Sequence, residues 1–140
     1  MDRIKLIRQQ DDKDCGTACF AMICNFYGKK VPTAVIRHKI GTDRNGANFY
    51  GILNTAKEYG MDALALEGTV EELIEVINNK EILLPCIARI VNRNQYEHYV
   101  VIYKIMKDKI YIADPDLGKI KMSTKDFSQI WLGQIATFRT

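Results

Sequence analysis

The chain of 140 residues is long enough for one domain of ordinary size, and its 47% content of apolar residues can form a sizeable core. A net charge of only +3, without a basic run that contains aromatic residues, argues against a nucleic-acid-binding protein. No apolar stretch approaches the roughly 20 residues that span a bilayer, and the N-terminus has no apolar signal core, so we expect a soluble, cytoplasmic domain.

The N-terminal half has the residue spacing of helices. Residues 4–10 alternate loosely and predict a short strand or an extended arm. Apolar residues then recur at helical spacing over 15–27, with Asp14 as the expected N-cap and Gly28 as the expected end. A turn-rich loop is predicted at 41–48. It separates two further helices, each followed by a glycine, which are predicted over residues 32–40 and 48–59.

The C-terminal half has the pattern of strands. A strand is predicted over 61–67, followed by a helix that opens on a capping box of Thr69 and Glu72. The later elements are β-rich runs at 82–91, 97–106 and 109–115, a short helix at 123–131 and a last strand at 134–140. Helices followed by an antiparallel sheet predict the α+β class, in two layers and one domain over residues 1–140.

Among the four cysteines, Cys15 has the position that core packing explains least well. A thiol in the first turn of a helix lies at the positive end of the helix dipole, which favours the reactive thiolate. Gly16 leaves the backbone beside it open to a substrate. The other cysteines lie within apolar periods and are expected to be buried, reduced thiols: Cys19, Cys24 and Cys86. Cys15 is therefore the predicted nucleophile, with a small buried side chain as the alternative.

A nucleophilic thiol needs a base, and the chain has two histidines. His38 lies late in a short helix between Arg37 and Lys39, where a cation favours the helix C-terminus, so we interpret it as a surface residue. His98 begins an apolar strand after a polar loop, which places it at the rim of the sheet. His98 is the predicted base, with a buried structural histidine as the alternative.

An orienting acid is expected on the strand next to that of His98. Asp114 ends the following strand, and in an antiparallel pair the start of one strand lies beside the end of the next. The alternative is that Asp114 and Pro115 only begin a turn, and both readings are compatible. Asp116 is the weaker candidate because it lies beyond the proline.

An acyl-transfer site also needs donors for the oxyanion. The backbone N–H of Cys15 is one candidate. The side-chain amide of Gln9 or Gln10 is another, and spacing alone does not choose between them.

Metal, redox and phosphate sites have less support in the sequence. The spacing of a zinc site is absent from Cys15, Cys19, Cys24 and His98. A redox thiol would require a CxxC pair, and a phosphate loop would require a GK[ST] ending. We therefore expect no metal.

These residues together resemble a known family. The run from Gln9 to Gly28 has the form Q-x4-D-C-G-x-A-C-x-x-M-x4-Y-G and resembles the start of the C39 peptidases. These are papain-like cysteine peptidase domains at the N-terminus of bacteriocin-processing ABC transporters. The later motifs LPCIARI, HYVVIYKI, IADPDLGKIKMSTKDF and WLG follow in the family's order, so the resemblance covers roughly residues 5–135.

The resemblance implies a papain-like fold and a role for each candidate residue. Cys15 would be the nucleophile and His98 the general base and acid. Asp114 would orient His98. Gln9, rather than Gln10, would supply the side-chain donor to the oxyanion. The peptidase would need no cofactor.

The resemblance also implies a substrate and partners. The enzyme would remove the leader from a bacteriocin, lanthipeptide or pheromone precursor, in a reaction coupled to export. Cleavage would follow a double-glycine-type motif, such as Gly-Gly or Gly-Ala, and the amphipathic leader helix would dock in a surface groove. The other partners would be the transmembrane and ATPase domains of a transporter, at the cytoplasmic face of the bacterial plasma membrane. ATP and Mg²⁺ are expected only in that transporter part.

The chain departs from the family's pattern in two respects, and the sequence also leaves two alternative functions. The chain ends at Thr140, where the membrane region of such transporters begins, so we expect the N-terminal domain of a larger transporter or a stand-alone peptidase. The run IARI replaces an IAHW-like run, which concerns the local surface and not the triad. The alternatives are a catalytically silent docking module for leader peptides, and a deamidase or transglutaminase that uses the same triad.

Overall fold

The computed structural model describes residues 4–11, 13–40 and 48–140. The helices in these residues are α1 (Cys15–Phe26), α2 (Thr33–Ile40), α3 (Phe49–Glu58), α4 (Val70–Asn78) and α5 (Thr124–Ile130). The strands are β1 (Asp62–Glu67), β2 (Cys86–Val91), β3 (Glu97–Met106), β4 (Lys109–Asp114), β5 (Gly118–Ser123) and β6 (Trp131–Arg139). They form one six-stranded antiparallel sheet in the order β1-β6-β2-β3-β4-β5.

The helix boundaries agree with the predicted start and stop signals. Helix α1 begins at Cys15, and Gly28 follows it with a φ of 75°. Thr69 and Glu72 form the predicted capping box of α4, and the Ser123 hydroxyl accepts the Asp126 N–H at the start of α5. Except for Asn48, which caps α3, the predicted loop at 41–48 lies outside the described residues.

The sheet is the middle layer of three, so the expectation of two layers is wrong. Helices α1, α2 and α3 pack on one face of the sheet, and α4 and α5 contribute Leu73 and Phe127 to the core on the other face. The physical reason is the composition of the central strands. In β2 and β3, apolar residues occupy successive positions and are buried on both faces, which requires cover on both sides.

Some strand limits differ from the predicted ones. Strand β5 is absent from the predicted elements because Lys119 and Lys121 interrupt its apolar residues, as an edge strand permits. Strand β6 begins at Trp131 rather than at residue 134, and β2 begins at Cys86 rather than at residue 82. These shifts leave the order of the predicted strands unchanged.

The topology brings three chain segments to one end of the sheet. Helix α1 packs chiefly on β3, and the first turn of α1 lies near the start of β3 and the end of β4. The predicted N-terminal arm is extended and carries no strand; its Gln9 N–H donates to the Pro115 carbonyl, just beyond β4. Among the described residues, no helix is both long and apolar enough to cross a membrane.

Candidate active site

Cys15 differs from the other three cysteines in its exposure. Its exposed fraction is 8%, against 0–1% for Cys19, Cys24 and Cys86. Burial raises the pKa of both Cys24 and Cys86 to about 12 and raises the pKa of Cys19 well above its ordinary value, with the nearby Cys15 and Asp114 adding to the effect. The prediction that these three are buried thiols without disulfides is confirmed. Cys15 is the thiol at the start of the helix, next to His98.

His98 and Asp114 form a buried hydrogen-bonded pair. The Nε2 atom of His98 lies 2.8 Å from Oδ1 of Asp114, and both residues are almost fully buried. The predicted strand order produces this contact, because β4 runs antiparallel to β3 and ends beside its beginning. His98 is buried, as the structural alternative also expects, and its bond to an acid supplies the orienting partner that a catalytic base needs.

The second neighbour of the His98 imidazole is the Cys15 thiol. Burial disfavours the imidazolium, but hydrogen bonds to Asp114 and to Cys15, together with their negative charges, outweigh it and raise the pKa of His98 to about 10. Since Asp114 takes Nε2, Nδ1 is the ring nitrogen left for the thiol. A histidine placed between an acid and a thiol can accept the proton of the thiol and later donate it to a leaving group.

Asp114 both contacts His98 and begins a turn. Its Oδ1 accepts the N–H groups of Asp116 at 2.8 Å and Leu117 at 3.2 Å, so the turn interpretation of the Asp114–Pro115 pair is confirmed and is compatible with an orienting role. Burial opposes ionisation, but the hydrogen bond and charge of His98 and the two N–H donors hold the pKa of Asp114 below its ordinary value. The side chain of Asp116 is exposed, so it is the less suitable orienting group.

Gln9 and Gln10 have different environments. The Gln9 N–H donates to the carbonyl of Pro115 at 3.0 Å, and its side-chain Oε1 is buried without a hydrogen-bond partner among the described residues. Gln10 is exposed, and its Oε1 accepts from Arg37 at 3.1 Å. Arg37 occupies the side chain of Gln10, whereas no described residue bonds Oε1 of the half-buried Gln9, so the choice of Gln9 over Gln10 stays a prediction that these contacts allow.

Asp14 occupies the N-cap position of α1, but its side chain does not cap the helix. Its Oδ1 and Oδ2 atoms accept from Nε and Nη2 of Arg37 at 2.9 and 3.0 Å. The side-chain capping role expected for Asp14 is therefore wrong, because a cation on α2 takes both oxygens. No sequence signal identified Arg37, which lies 23 positions from Asp14 in an ordinary helical pattern.

Two further sequence interpretations concern residues outside this site. His38 is exposed in the last turn of α2, which confirms its interpretation as a surface residue. Arg89, at the departure from the IAHW-like run, forms an ion pair with Glu97 at 2.6 Å and a hydrogen bond with Gln134. The departure thus creates a polar cluster on the surface directly before His98. Its contacts do not include the triad.

A cavity of about 590 Å³ borders His98 and Asp114. Ile90 and Ile130 contribute apolar walls, and Asn92 and Gln95 of the β2–β3 loop contribute polar ones. His98 and Asp114 therefore adjoin a recess with both apolar and hydrogen-bonding surface.

The sequence as a whole matches the model of the peptidase C39 family over residues 3–140. The chain belongs to the peptidase C39 family. The predicted family and the predicted class of enzyme, a cysteine peptidase, are thereby confirmed.

Curated relatives of this C39 domain are transport proteins. It is 44% identical over 129 residues to the lactococcin-G-processing and transport ATP-binding protein LagD of Lactococcus lactis subsp. lactis, covering 92% of this chain and 18% of that protein. It is 32% identical over 133 residues to the mesentericin-Y105 transport/processing ATP-binding protein MesD of Leuconostoc mesenteroides, covering 94% and 18%. The chain thus spans about a fifth of the length of these relatives.

Solved structures of C39 domains have the same architecture. The double-glycine-motif protease from an AMS/PCAT transporter, crystallised in complex with the leader peptide, matches with a TM-score of 0.86 and 29% identity over 97% of this chain and 91% of that one. The peptidase domain of Streptococcus ComA, a bifunctional ABC transporter of a quorum-sensing pathway, matches with a TM-score of 0.86 and 25% identity, over 97% and 98%. The expected papain-like peptidase fold is confirmed.

Proposed function

We propose that this domain is an endopeptidase that removes the leader from a bacteriocin, lanthipeptide or pheromone precursor by cleaving after a double-glycine-type motif. The observation that carries the proposal is the 2.8 Å contact of the His98 imidazole with the Asp114 carboxylate, beside the thiol that opens α1. This is the arrangement of nucleophile, base and orienting acid that thiol-dependent acyl transfer needs.

The reaction begins with attack of the Cys15 thiolate on the carbonyl carbon of the second small residue. The side-chain amide of Gln9 and the backbone N–H of Cys15 donate to the oxyanion that forms. His98 then protonates the leaving amine, which becomes the N-terminus of the mature peptide. A water molecule activated by His98 hydrolyses the thioester and releases the leader. Proton transfer by a positioned histidine contributes about 10²–10⁴-fold to such a rate.

The choice of substrate is supported by the relatives. One solved C39 domain, similar in fold and 29% identical, is described as a double-glycine-motif protease and holds a leader peptide. The recess beside His98 and Asp114 supports docking of apolar leader side chains close to the triad, in a helix-in-groove mode. Small residues at the cleavage site fit a nucleophile that is itself largely buried.

The proposal extends to the partners of the domain. The curated relatives are named as ATP-binding transport and processing proteins, which supports the transmembrane and ATPase domains of a transporter as partners. The domain would then act at the cytoplasmic face of the bacterial plasma membrane, on precursor peptides and not on nucleic acid. ATP and Mg²⁺ would serve the transporter part, and the peptide-bond chemistry would use only Cys15, His98, Asp114 and Gln9.

The test is incubation of the domain with a synthetic precursor that has an amphipathic leader and a Gly-Gly junction, followed by mass spectrometry. We expect two fragments that meet after the second glycine, and none with Cys15→Ala. Cys86→Ala is the matched control, because it removes a fully buried thiol away from the triad and should leave cleavage intact. Intact peptide that still binds would support the docking module. A mass gain of about one dalton, the chemical difference between amide and acid, would support a deamidase.

A further inference from the structure

The carboxylate directly before the nucleophile is bonded to a different helix. Asp14 is 3% exposed, and Arg37 of α2 holds it through two parallel hydrogen bonds, from Nε to Oδ1 and from Nη2 to Oδ2. Such a planar, two-point contact fixes direction as well as distance. The packing of α2 positions Arg37, because Ile36 and Ile40 of this helix are buried in the core shared with α1.

The same guanidinium reaches the segment that carries Gln9. Nη2 of Arg37 also donates to Oε1 of Gln10 at 3.1 Å, and Oδ2 of Asp14 accepts the main-chain N–H of Gln10 at 3.1 Å. The other flank of Gln9 is held by its own N–H, which donates to Pro115 at 3.0 Å. Both peptide groups next to the Gln9 α-carbon are therefore hydrogen-bonded, one to the turn after Asp114 and one to the residue before Cys15.

An oxyanion hole requires its donors to meet at one oxygen, within about 3 Å of each. Cys15 is held by the packing of α1, but Gln9 lies in the irregular segment that precedes the helix. The position of the Gln9 amide relative to the Cys15 N–H thus depends on the bonds that hold that segment.

We propose that Arg37 is a positioning residue of the peptidase reaction, which holds Gln9 in register with Cys15 through Asp14 and Gln10. This inference rests on the proposed function. Arg37 does not touch the substrate. It acts by holding Gln10 against the Asp14 carboxylate, so that its loss weakens transition-state binding more than substrate binding.

The test uses Arg37→Lys, which keeps the charge beside Asp14 but cannot supply the fork that spans both carboxylate oxygens and Gln10. In the Gly-Gly precursor assay we expect kcat to fall about 10-fold and KM to change less than about 2-fold, since a misplaced catalytic group costs about 10- to 100-fold. Arg37→Met, which leaves Asp14 unpaired, should lose more. Lys39→Met is the matched control on α2, because Lys39 forms an exposed ion pair with Glu58 at 3.7 Å, away from the site.

A double-variant cycle separates positioning from general loss of structure. If Arg37 acts through Gln9, Arg37→Lys should reduce kcat by less than about 2-fold in a Gln9→Ala background, since residues that act as one unit are not additive. An undiminished 10-fold effect there, an effect equal to that of Lys39→Met, or a change in KM alone would overturn the inference. Wild-type protein is assayed alongside: no cleavage by wild type speaks against the proposed function, whereas equal kcat for wild type and Arg37→Lys speaks only against this inference.

Discussion

The main-chain N–H of Gln9 donates to the carbonyl of Pro115 at 3.0 Å, which joins the segment before Cys15 to the turn after Asp114. Asp114 in turn binds His98 at 2.8 Å, and the Cys15 thiol lies close enough to His98 to raise its pKa. The four predicted site residues therefore lie together where the N-terminal arm, α1, β3 and β4 meet.

Gln9→Ala tests the role of the buried amide. If its N–H group stabilises the oxyanion, its removal should lower kcat by about 10²–10³-fold, the cost of losing one such donor, with little change in KM. The main-chain bond to Pro115 is retained in the variant, so the arm should keep its place. Steady-state kinetics on the Gly-Gly precursor measure both constants.

The control for Gln9→Ala is Gln10→Ala at the next position. That variant loses one exposed hydrogen bond to Arg37 and keeps its main-chain bond to Asp14. We expect a loss of kcat of at most about 10-fold, well below that of Gln9→Ala, because the Arg37–Asp14 pair and the main-chain bond of Gln10 remain. Equal losses for the two variants would show that the amide of Gln9 is not an oxyanion donor.

Asp114→Asn tests the charge that acts on His98. Burial disfavours the imidazolium, yet the bonds and charges of Asp114 and Cys15 raise the pKa of His98 to about 10, so the protonated form persists through neutral pH. An asparagine can still accept from Nε2 but carries no charge, and so the pKa of His98 should fall. The alkaline limb of the kcat/KM profile against pH should then move to lower pH. An unchanged alkaline limb would remove Asp114 from this role.

Asp114→Asn should also change how the Tm depends on pH. A raised pKa of His98 adds stability that is complete below the ordinary value of 6.5 and is lost as pH rises through about 10. A lowered pKa of Asp114 adds stability that is complete above its ordinary value of 3.8 and is lost as pH falls through the lowered pKa. The difference in Tm between wild type and Asp114→Asn should therefore be largest between pH 3.8 and 6.5. Thermal unfolding over that range checks the sign.

The contact of His98 with Asp114 could be predicted from the sequence because it depends on strand order. His98 begins one strand and Asp114 ends the next, and an antiparallel hairpin brings such positions to the same end of the sheet. The place of Cys15 followed in the same way from a helix boundary, which the spacing of apolar residues and Gly28 defined. A sequence pattern therefore predicts contacts between elements that are neighbours along the chain.

The contact of Arg37 with Asp14 and the second helical layer could not be predicted in this way. Local chemistry predicts that an aspartate before a helix caps it, whereas here tertiary packing brings a guanidinium that competes for both oxygens. The sequence did not predict strand β5, because alternating lysines are as typical of a loop as of an edge strand. For Asp14 the deciding partner lies 23 positions away in sequence, whereas β5 pairs with the adjacent β4 and is obscured only by its lysines.

Alkylation should distinguish Cys15 from the other thiols. Cys19, Cys24 and Cys86 are buried, and burial raises the pKa of each, so their thiolates are scarce at neutral pH. We expect iodoacetamide to add one label to the folded protein, at Cys15, as read by intact mass and peptide mapping.

Two controls accompany the labelling experiment. Cys15→Ala should take no label under native conditions, and wild type in denaturant should take four, one for each cysteine of the chain. A second label on the folded protein would mean that one of the buried thiols opens to solvent.

Gly51→Ala should destabilise the packing of α3 on α2. A Cβ atom at Gly51 would collide with the main-chain carbonyl oxygen of Ile40, which ends α2 and cannot move without disturbing that helix. Overpacking against backbone of this kind lowers the free energy of unfolding by about 1–3 kcal/mol. Tyr50→Ala is the control, because that side chain is 75% exposed at the adjacent position and should change stability by less than about 0.5 kcal/mol. Urea unfolding followed by circular dichroism measures both variants, and equal midpoints would show that the two helices do not meet at Gly51.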